Sequence, residues 1–155
     1  MKTEAKGGMD PALYKAATQG RVGILRKLVV NDVKILNSKT PQDNTALHLA
    51  ALHGHPKVAR EVLAVSEELL VTRNDDGDTP LHLAAKAGKL EVAKLLVNRA
   101  LAWPQDKKSP LIMTNKASDT SMHEVVLHGS SAVTSKKGLL FPAANPLYSR
   151  LHSWE

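Results

Sequence analysis

The sequence Thr79-Pro80-Leu81-His82-Leu83-Ala84-Ala85 repeats, with one change, the segment Thr45-Ala46-Leu47-His48-Leu49-Ala50-Ala51 that stands 34 positions earlier. A glycine follows each copy after two further residues, Gly54 and then Gly88. A repeat of this length is typical of solenoid proteins, in which similar helical units stack side by side. Because such stacks expose long continuous surfaces, the repeat favours a binding function over a catalytic one.

Further units lie on both sides of these two copies. Gly20 stands 34 positions before Gly54, and a weaker copy at residues 120–126 ends at Gly129, which follows Gly88 by 41 positions. We therefore predict a repeat domain at residues 10–129, with units at 10–39, 40–73, 74–110 and 111–129, of which the last is partial. Residues 1–9 are expected to be a flexible N-terminus, and residues 130–155 an irregular, disordered tail.

Each unit is predicted to form two helices joined by a short turn. In the third unit Thr79 is suited to cap the first helix, and Pro80 fits its first position, where the missing N–H costs nothing. Gly88 is suited to end that helix because it enters the left-handed region without strain. A second helix is predicted from apolar residues at helical spacing, namely Leu90, Val92, Ala93, Leu95, Leu96 and Val97. The fold is therefore predicted to be all-α.

Polar turn segments separate the units at residues 40–44, 74–78 and 115–119. Asp, Asn and Gly tolerate the tight backbone angles of a projecting hairpin, here called a finger. Gly77 suits the tip of its finger, Asp43 is tolerable at the tip and Ser118 is poorer.

The C-terminal side of the stack needs a cover. We expect the second helix of the third unit to expose Val92, Leu95 or Leu96 unless residues 111–129 cover it, because a repeat cannot bury its apolar face alone. Trp103 lies in the long loop that follows this helix. It either anchors a partner or folds down as a lid on the third unit, and the sequence leaves both alternatives open.

Composition and charge limit the function. The 155 residues carry 21 basic and 15 acidic side chains, a net charge of +6. The basic residues are spread along the chain rather than gathered in one run, so nucleic-acid binding is not specified. There is no cysteine, and no apolar stretch is long enough to cross a bilayer. We expect a soluble cytoplasmic monomer.

No cofactor, metal site or catalytic centre is predicted. His48, His53 and His55 are close in sequence, but zinc usually needs three or four ligands at fixed short spacings that include Cys or a carboxylate. A calcium loop around Gly77 would end at Leu83, which cannot ligate a cation. The sequence also lacks a cysteine nucleophile, a Gly-x-Ser-x-Gly turn and a phosphate-binding glycine loop. We therefore do not expect an enzyme.

The stretch from Gly77 to Gly88 resembles the ankyrin repeat, whose signature is Gly-x-Thr-Pro-Leu-His-x-Ala-Ala followed by Gly. The resemblance covers about residues 10–129 and implies a solenoid of stacked helix pairs with hairpin fingers, about three full repeats plus one partial. In that family the threonine and histidine side chains tie loop to helix and one repeat to the next. The resemblance thus assigns structural roles to Thr45, His48, Gly54, Gly77, Thr79, Pro80, His82, Gly88, His123 and Gly129.

A narrower likeness is to plant ankyrin-repeat proteins with a C-terminal membrane domain of the PGG type. It rests on the opening Met9-Asp10-Pro11, on Leu69-Leu70 before Asn74 and on the long loop before the fourth unit. Members of that family are implicated in defence and stress signalling at the cytoplasmic side of membranes. After Gly129 the apolar pattern stops and no membrane helix follows, so we interpret the chain as a truncated or alternatively spliced product.

The ankyrin resemblance implies a non-catalytic function, the binding of another protein through the concave face and the finger tips. The family's variable contact positions, carried over to the second and third units, are Pro41, Gln42, Asn44, Leu52, His53, Asp75, Asp76, Asp78, Lys86 and Ala87. The fourth unit adds Lys116, Ala117 and Asp119. Two alternatives stay open: a soluble fragment or isoform of a plant membrane-associated ankyrin protein, and a basic nucleic-acid-binding accessory protein.

Overall fold

The computed structural model describes residues 8–104, 106, 107, 109–117, 119 and 120. Within those residues the chain forms α1 (Pro11–Gln19), α2 (Val22–Asn31), α3 (Ala46–His53), α4 (Pro56–Val65), α5 (Pro80–Lys86) and α6 (Leu90–Leu101). Short 3-10 helices follow α2, α4 and α6, at Val33–Asn37, Glu67–Val71 and Pro110–Ile112. The described residues contain no β-strand, although Thr114 and Thr120 form an isolated antiparallel bridge. The prediction of an all-α fold is confirmed.

The helices form three pairs that stack in chain order. Helix α1 packs on α2, α3 on α4 and α5 on α6, and each pair contacts the next through both its first and its second helix. Leu13, Leu47 and Leu81 hold the same repeat position in the three first helices, and all three are fully buried. The core is a row of such leucines with small alanines beside them, which let neighbouring helices approach closely.

The first helices begin at the positions that the sequence predicts. The Thr79 hydroxyl accepts a hydrogen bond from the His82 N–H, and Pro80 occupies the first position of α5. Thr45 caps α3 in the same way. The first unit has no threonine at this position, and Asp10 caps α1 instead by accepting from the Ala12 N–H at 2.8 Å. Each cap satisfies backbone N–H groups that the first turn of a helix leaves without partners.

The first helices also end close to the predicted glycines. Gly20 and Gly54 are the C-caps of α1 and α3. Helix α5 is one residue shorter, so its C-cap is Ala87, and Gly88 follows with a φ of 69°. The chain then turns back into the second helix of each pair.

Burial of the second helices depends on their place in the stack. In α4 and α6 the inward positions are buried, among them Val58 and Val62 in α4. The equivalent residues of α2, Ile24 and Leu28, are only half-buried. The difference follows from position, because α2 has no preceding unit against it in the part of the chain that the structure describes.

The opposite end of the stack is covered by the segment after α6. The 3-10 helix Pro110–Ile112 packs against α6, and Leu111 is 1% exposed. Val92 and Leu96 are fully buried, and Leu95 is half-buried. The expectation that residues from 111 onward cover this end therefore holds for the part of the segment that is described.

Trp103 behaves as a lid residue. It is half-buried and packs against the core. It also lines an apolar cavity of about 320 Å³, together with Glu68, Val71, Lys107 and Met113. The indole is therefore part of the cover over the third unit.

Some sequence predictions fall outside the described residues. These are the flexible N-terminus up to residue 7, the first helix of the fourth unit with His123 and Gly129, the tip residue Ser118, and the tail at 130–155. The boundaries assigned to the four units stay predictions. No helix in the described residues is long and apolar enough to cross a membrane.

Candidate functional site

The three fingers share one hairpin geometry. In each, the first residue donates its backbone N–H to the carbonyl oxygen of the fifth, and its side-chain oxygen accepts from the N–H of that same fifth residue. The backbone bonds are Thr40 to Asn44 at 3.0 Å, Asn74 to Asp78 at 3.0 Å and Asn115 to Asp119 at 2.9 Å. The side-chain bonds are 3.1, 2.9 and 3.0 Å long in the same order.

The tips of the first two fingers require a left-handed residue. Gly77 has a φ of 77°, and Asp43 has a φ of 68° at the equivalent position of the finger at 40–44. Glycine enters this region without steric cost, and Asp enters it more readily than most other residues. The tip assignments made from the sequence for Gly77 and Asp43 agree with these angles.

The fingers are joined edge to edge by two repeated hydrogen bonds. A backbone bond runs from Asp75 N–H to Gln42 O at 3.0 Å, and its equivalent runs from Lys116 N–H to Asp76 O at 2.9 Å. A side-chain bond runs between neighbouring fingers as well. It joins Asn74 Nδ2 to Asn44 Oδ1 and Asn115 Nδ2 to Asp78 Oδ1, each at 2.8 Å. The three fingers therefore form one continuous, hydrogen-bonded edge.

His48 ties the second unit to the finger of the third. Its Nδ1 accepts from the Thr45 backbone N–H at 3.1 Å, and its Nε2 lies 2.8 Å from the Asp78 carbonyl oxygen. Because Nδ1 is an acceptor, the neutral ring carries its proton on Nε2 and donates it to Asp78. Desolvation by burial lowers the pKa of His48 to about 4, although the Asp78 carbonyl opposes the shift.

His82 repeats this arrangement one unit later. Its Nδ1 accepts from the Thr79 N–H at 3.0 Å, and its Nε2 lies 2.9 Å from the Asp119 carbonyl oxygen. In the described units each threonine–histidine pair therefore joins the start of its own first helix to the next finger.

The other two histidines of this region, His53 and His55, lie at the turn between α3 and α4. His55 Nε2 lies 2.8 Å from the Thr18 carbonyl oxygen and so joins the second unit to the first. Burial lowers the pKa of His53, and the neighbouring His55 and Lys89 lower it further. Among the described residues, no group of three or more His, Asp or Glu side chains is arranged to hold a metal ion.

Most of the predicted partner-binding residues reach the surface along the finger edge and the adjoining ends of the first helices. At the finger tips Pro41, Gln42, Asp75 and Asp76 are exposed. At the C-terminal ends of α3 and α5 the exposed residues are Leu52, His53 and Lys86. Asn44 and Ala87 are half-buried. In the finger of the fourth unit, residues 115–119, which we call the fourth finger, Lys116 and Ala117 are exposed while Asp119 is half-buried.

Asp78 does not belong to the accessible set. It is 1% exposed, and its carboxylate bonds to Lys86 Nζ at 2.9 Å and to Asn115 Nδ2 at 2.8 Å. The sequence places Asp78 at a family contact position, but the fourth finger covers it here. Asn74 and Asn115 are the residues that sequence reasoning missed. Their identical place at the start of two fingers is the signal that could have found them.

Two stretches of the chain, residues 42–70 and 76–109, match the family model described as ankyrin repeat. No curated protein matches the chain. The matched stretches hold the second and third helix pairs, with both threonine–histidine pairs and parts of the first two fingers described above. Residues 42–70 and 76–109 are therefore ankyrin repeats.

Proposed function

We propose that the protein is a non-catalytic scaffold that binds another protein through its finger tips and the C-terminal ends of its first helices. Ankyrin repeats are generally protein-interaction modules. The surface consists of the exposed residues Pro41, Gln42, Leu52, His53, Asp75, Asp76, Lys116 and Ala117, with the half-buried Asn44, Ala87 and Asp119 between them. We call it the finger surface.

The observation that carries this proposal is the hydrogen-bonded edge of the fingers. The backbone bonds from Asp75 to Gln42 and from Lys116 to Asp76 fix the main chain, while the side chains of Gln42, Asp75 and Asp76 remain exposed. A surface that is already ordered loses little conformational freedom on binding, so more of the contact energy appears as affinity. The arrangement therefore suits recognition of a partner.

The experiment is a comparison of two charge-matched double variants against a captured partner. A protein partner is isolated by affinity capture with the whole chain, and its dissociation constant is measured by calorimetry. Asp75→Asn with Asp76→Asn removes two negative charges from the finger surface. Glu67→Gln with Glu68→Gln removes two negative charges from the exposed start of the 3-10 helix after α4, outside that surface.

We expect the finger variant to weaken binding by about tenfold or more, as loss of central interface contacts commonly does. The control variant should stay within about twofold of the unaltered chain, because distant surface charges contribute little at physiological salt. Equal effects of the two variants would contradict the assignment of the finger surface.

Finer proposals follow from the likeness to plant ankyrin proteins. As an alternative to an independent scaffold, we propose that the chain is a fragment or isoform of a membrane-associated plant protein in defence or stress signalling. We also propose that it acts as a cytoplasmic monomer. A longer transcript that encodes apolar segments after the fourth unit would support this alternative. A nucleic-acid-binding role has only the net charge of +6 in its favour, and salt-sensitive retention on DNA would support it.

A further inference from the structure

Two repeat positions change together between the second and third units. The second unit has Asn44 at the end of its finger and Leu52 near the end of α3. The third unit has Asp78 and Lys86 at the equivalent positions, and their side chains form an ion pair at 2.9 Å. A neutral pair in one repeat thus becomes a charged pair in the next.

Asp78 bonds to three different units. Its carbonyl oxygen accepts from His48 of the second unit and from the Asn74 N–H of its own finger. Its carboxylate accepts from Lys86 of the third unit and from Asn115 of the fourth finger.

The burial of this carboxylate gives the contacts their importance. The Asp78 side chain is 2% exposed, whereas that of Lys86 is 35% exposed. A buried carboxylate is costly unless cations and hydrogen-bond donors compensate its charge, and removing one partner is costlier than removing both. Asp78 therefore holds the Lys86 ammonium against the finger, and its carboxylate fixes the Asn115 side chain through their hydrogen bond.

We propose that Asp78 is a positioning residue of the finger surface. It directs Lys86 away from a partner, and it seats the fourth finger so that Lys116 and Ala117 extend the row of tips. Two positions that elsewhere in the family contact partners are used here to shape the surface. The role of that surface in binding rests on the proposed function, but the positions of Lys86 and of the fourth finger can be tested with no partner present.

The first test measures how reactive Lys86 is. The whole chain is treated with a limiting amount of a small amine-acylating reagent, and modification of each lysine is followed by mass spectrometry with the exposed Lys57 as reference. Asp78→Asn should make Lys86 react several-fold faster, because its ammonium loses the buried carboxylate. Asp75→Asn, which removes an exposed carboxylate of the same finger, should leave the reactivity of Lys86 unchanged. Equal Lys86 reactivity in the unaltered chain and in Asp78→Asn would overturn the proposal.

The second test follows the seating of the fourth finger by amide hydrogen exchange. Asp78→Ala removes the acceptor of Asn115, so the Lys116 N–H should exchange several-fold faster. The Asp75 N–H is bonded to Gln42 on the preceding finger and serves as an internal reference that should not change. Equal acceleration at both amides would indicate general destabilisation, and no acceleration at Lys116 would indicate that Asp78 does not seat this finger. Either result contradicts the proposal.

A stability cycle separates positioning from general loss of packing. Lys86→Leu alone leaves the buried carboxylate without its ion pair and should lower the folding equilibrium constant about tenfold or more. Adding Asp78→Asn recreates the neutral pair of the second unit and should restore most of the loss. Urea unfolding measures both constants. A double variant no more stable than Lys86→Leu would show that the two residues do not act together.

Discussion

At the scale of single residues, the two threonine–histidine pairs explain how one short motif both starts a helix and joins two repeats. The His48 ring uses one nitrogen to accept from the Thr45 N–H and the other to donate to Asp78 of the next finger. These two roles need a neutral ring with an acceptor and a donor on opposite sides, which only histidine supplies. Tyr14 holds this position in the first unit and is 48% exposed, so its ring does not fill the equivalent buried site.

The protonation of His48 links stability to pH. Its pKa is about 4 in the folded chain, whereas the ordinary histidine value of 6.5 applies in the unfolded chain. Above pH 6.5 the ring is neutral in both states. As the pH falls from 6.5 to 4, the unfolded chain binds the proton first, and folding loses up to about 3 kcal/mol.

Urea unfolding between pH 7 and pH 4 measures this loss. His48→Gln should be less stable than the unaltered chain at pH 7, because it disturbs the bonds to Thr45 and Asp78. That difference should shrink towards pH 4, since glutamine does not titrate. A difference that stays constant over the whole range would mean that His48 does not contribute to the pH dependence.

At the scale of the elements, the fingers depend on their tip residue for two separate reasons. Asp43 and Gly77 share a positive φ at equivalent positions. A Cβ atom added at Gly77 would also lie 2.8 Å from the Lys116 backbone nitrogen of the fourth finger. The positive φ is thus required by the geometry of the finger itself, whereas the close contact at Gly77 is imposed by the finger of the neighbouring repeat.

Two matched alanine variants distinguish these demands. Asp43→Ala and Gly77→Ala both place alanine in the left-handed region. This costs roughly 1–2 kcal/mol at Gly77 and less at Asp43, because Asp already bears part of that strain. Gly77→Ala should therefore cost at least about 2 kcal/mol more than Asp43→Ala, since the fourth finger must also move and its bond from Lys116 to Asp76 is strained. Chemical denaturation measures both free energies of unfolding. Equal losses would mean that the fourth finger does not press on Gly77.

Local chemistry made the helices and fingers predictable. The caps of α5 act within one or two turns of their own helix. The roles of Thr79, Pro80 and Gly88 can therefore be inferred from the residues next to them in the sequence. The burial of Asp78 could not be inferred in this way. It depends on Asn115, 37 positions later, after a loop longer than the repeat period implies. The site was therefore predicted well where exposure follows the repeat and poorly where a later finger covers it.

At the scale of the whole molecule, a stack of repeats is stable only if its ends are covered. Lys15 replaces the buried Leu49 and Leu83 in the first unit, which gives that end a more polar surface. At the other end, the irregular segment after α6 supplies Leu111 as a cover. Within the described residues, the two ends of the stack are therefore closed by different means.

Adjacent residues of the covering segment allow a direct comparison. Leu111 is 1% exposed and Ile112 is 38% exposed. Leu111→Ala should lower the free energy of unfolding by about 2–5 kcal/mol, because it opens a cavity against the core. Ile112→Ala should cost less than about 1 kcal/mol. Thermal or urea unfolding of the whole chain measures both, and similar losses would contradict the role of the segment as a cover.

The claim that the finger edge is where a partner binds is tested most directly by amide hydrogen exchange of the chain, first alone and then saturated with its captured protein partner. We expect increased protection at residues 42–44, 74–78 and 115–117 and at the C-terminal ends of α3 and α5. Protection confined to the second helices α2, α4 and α6, with no change in the fingers, would contradict it.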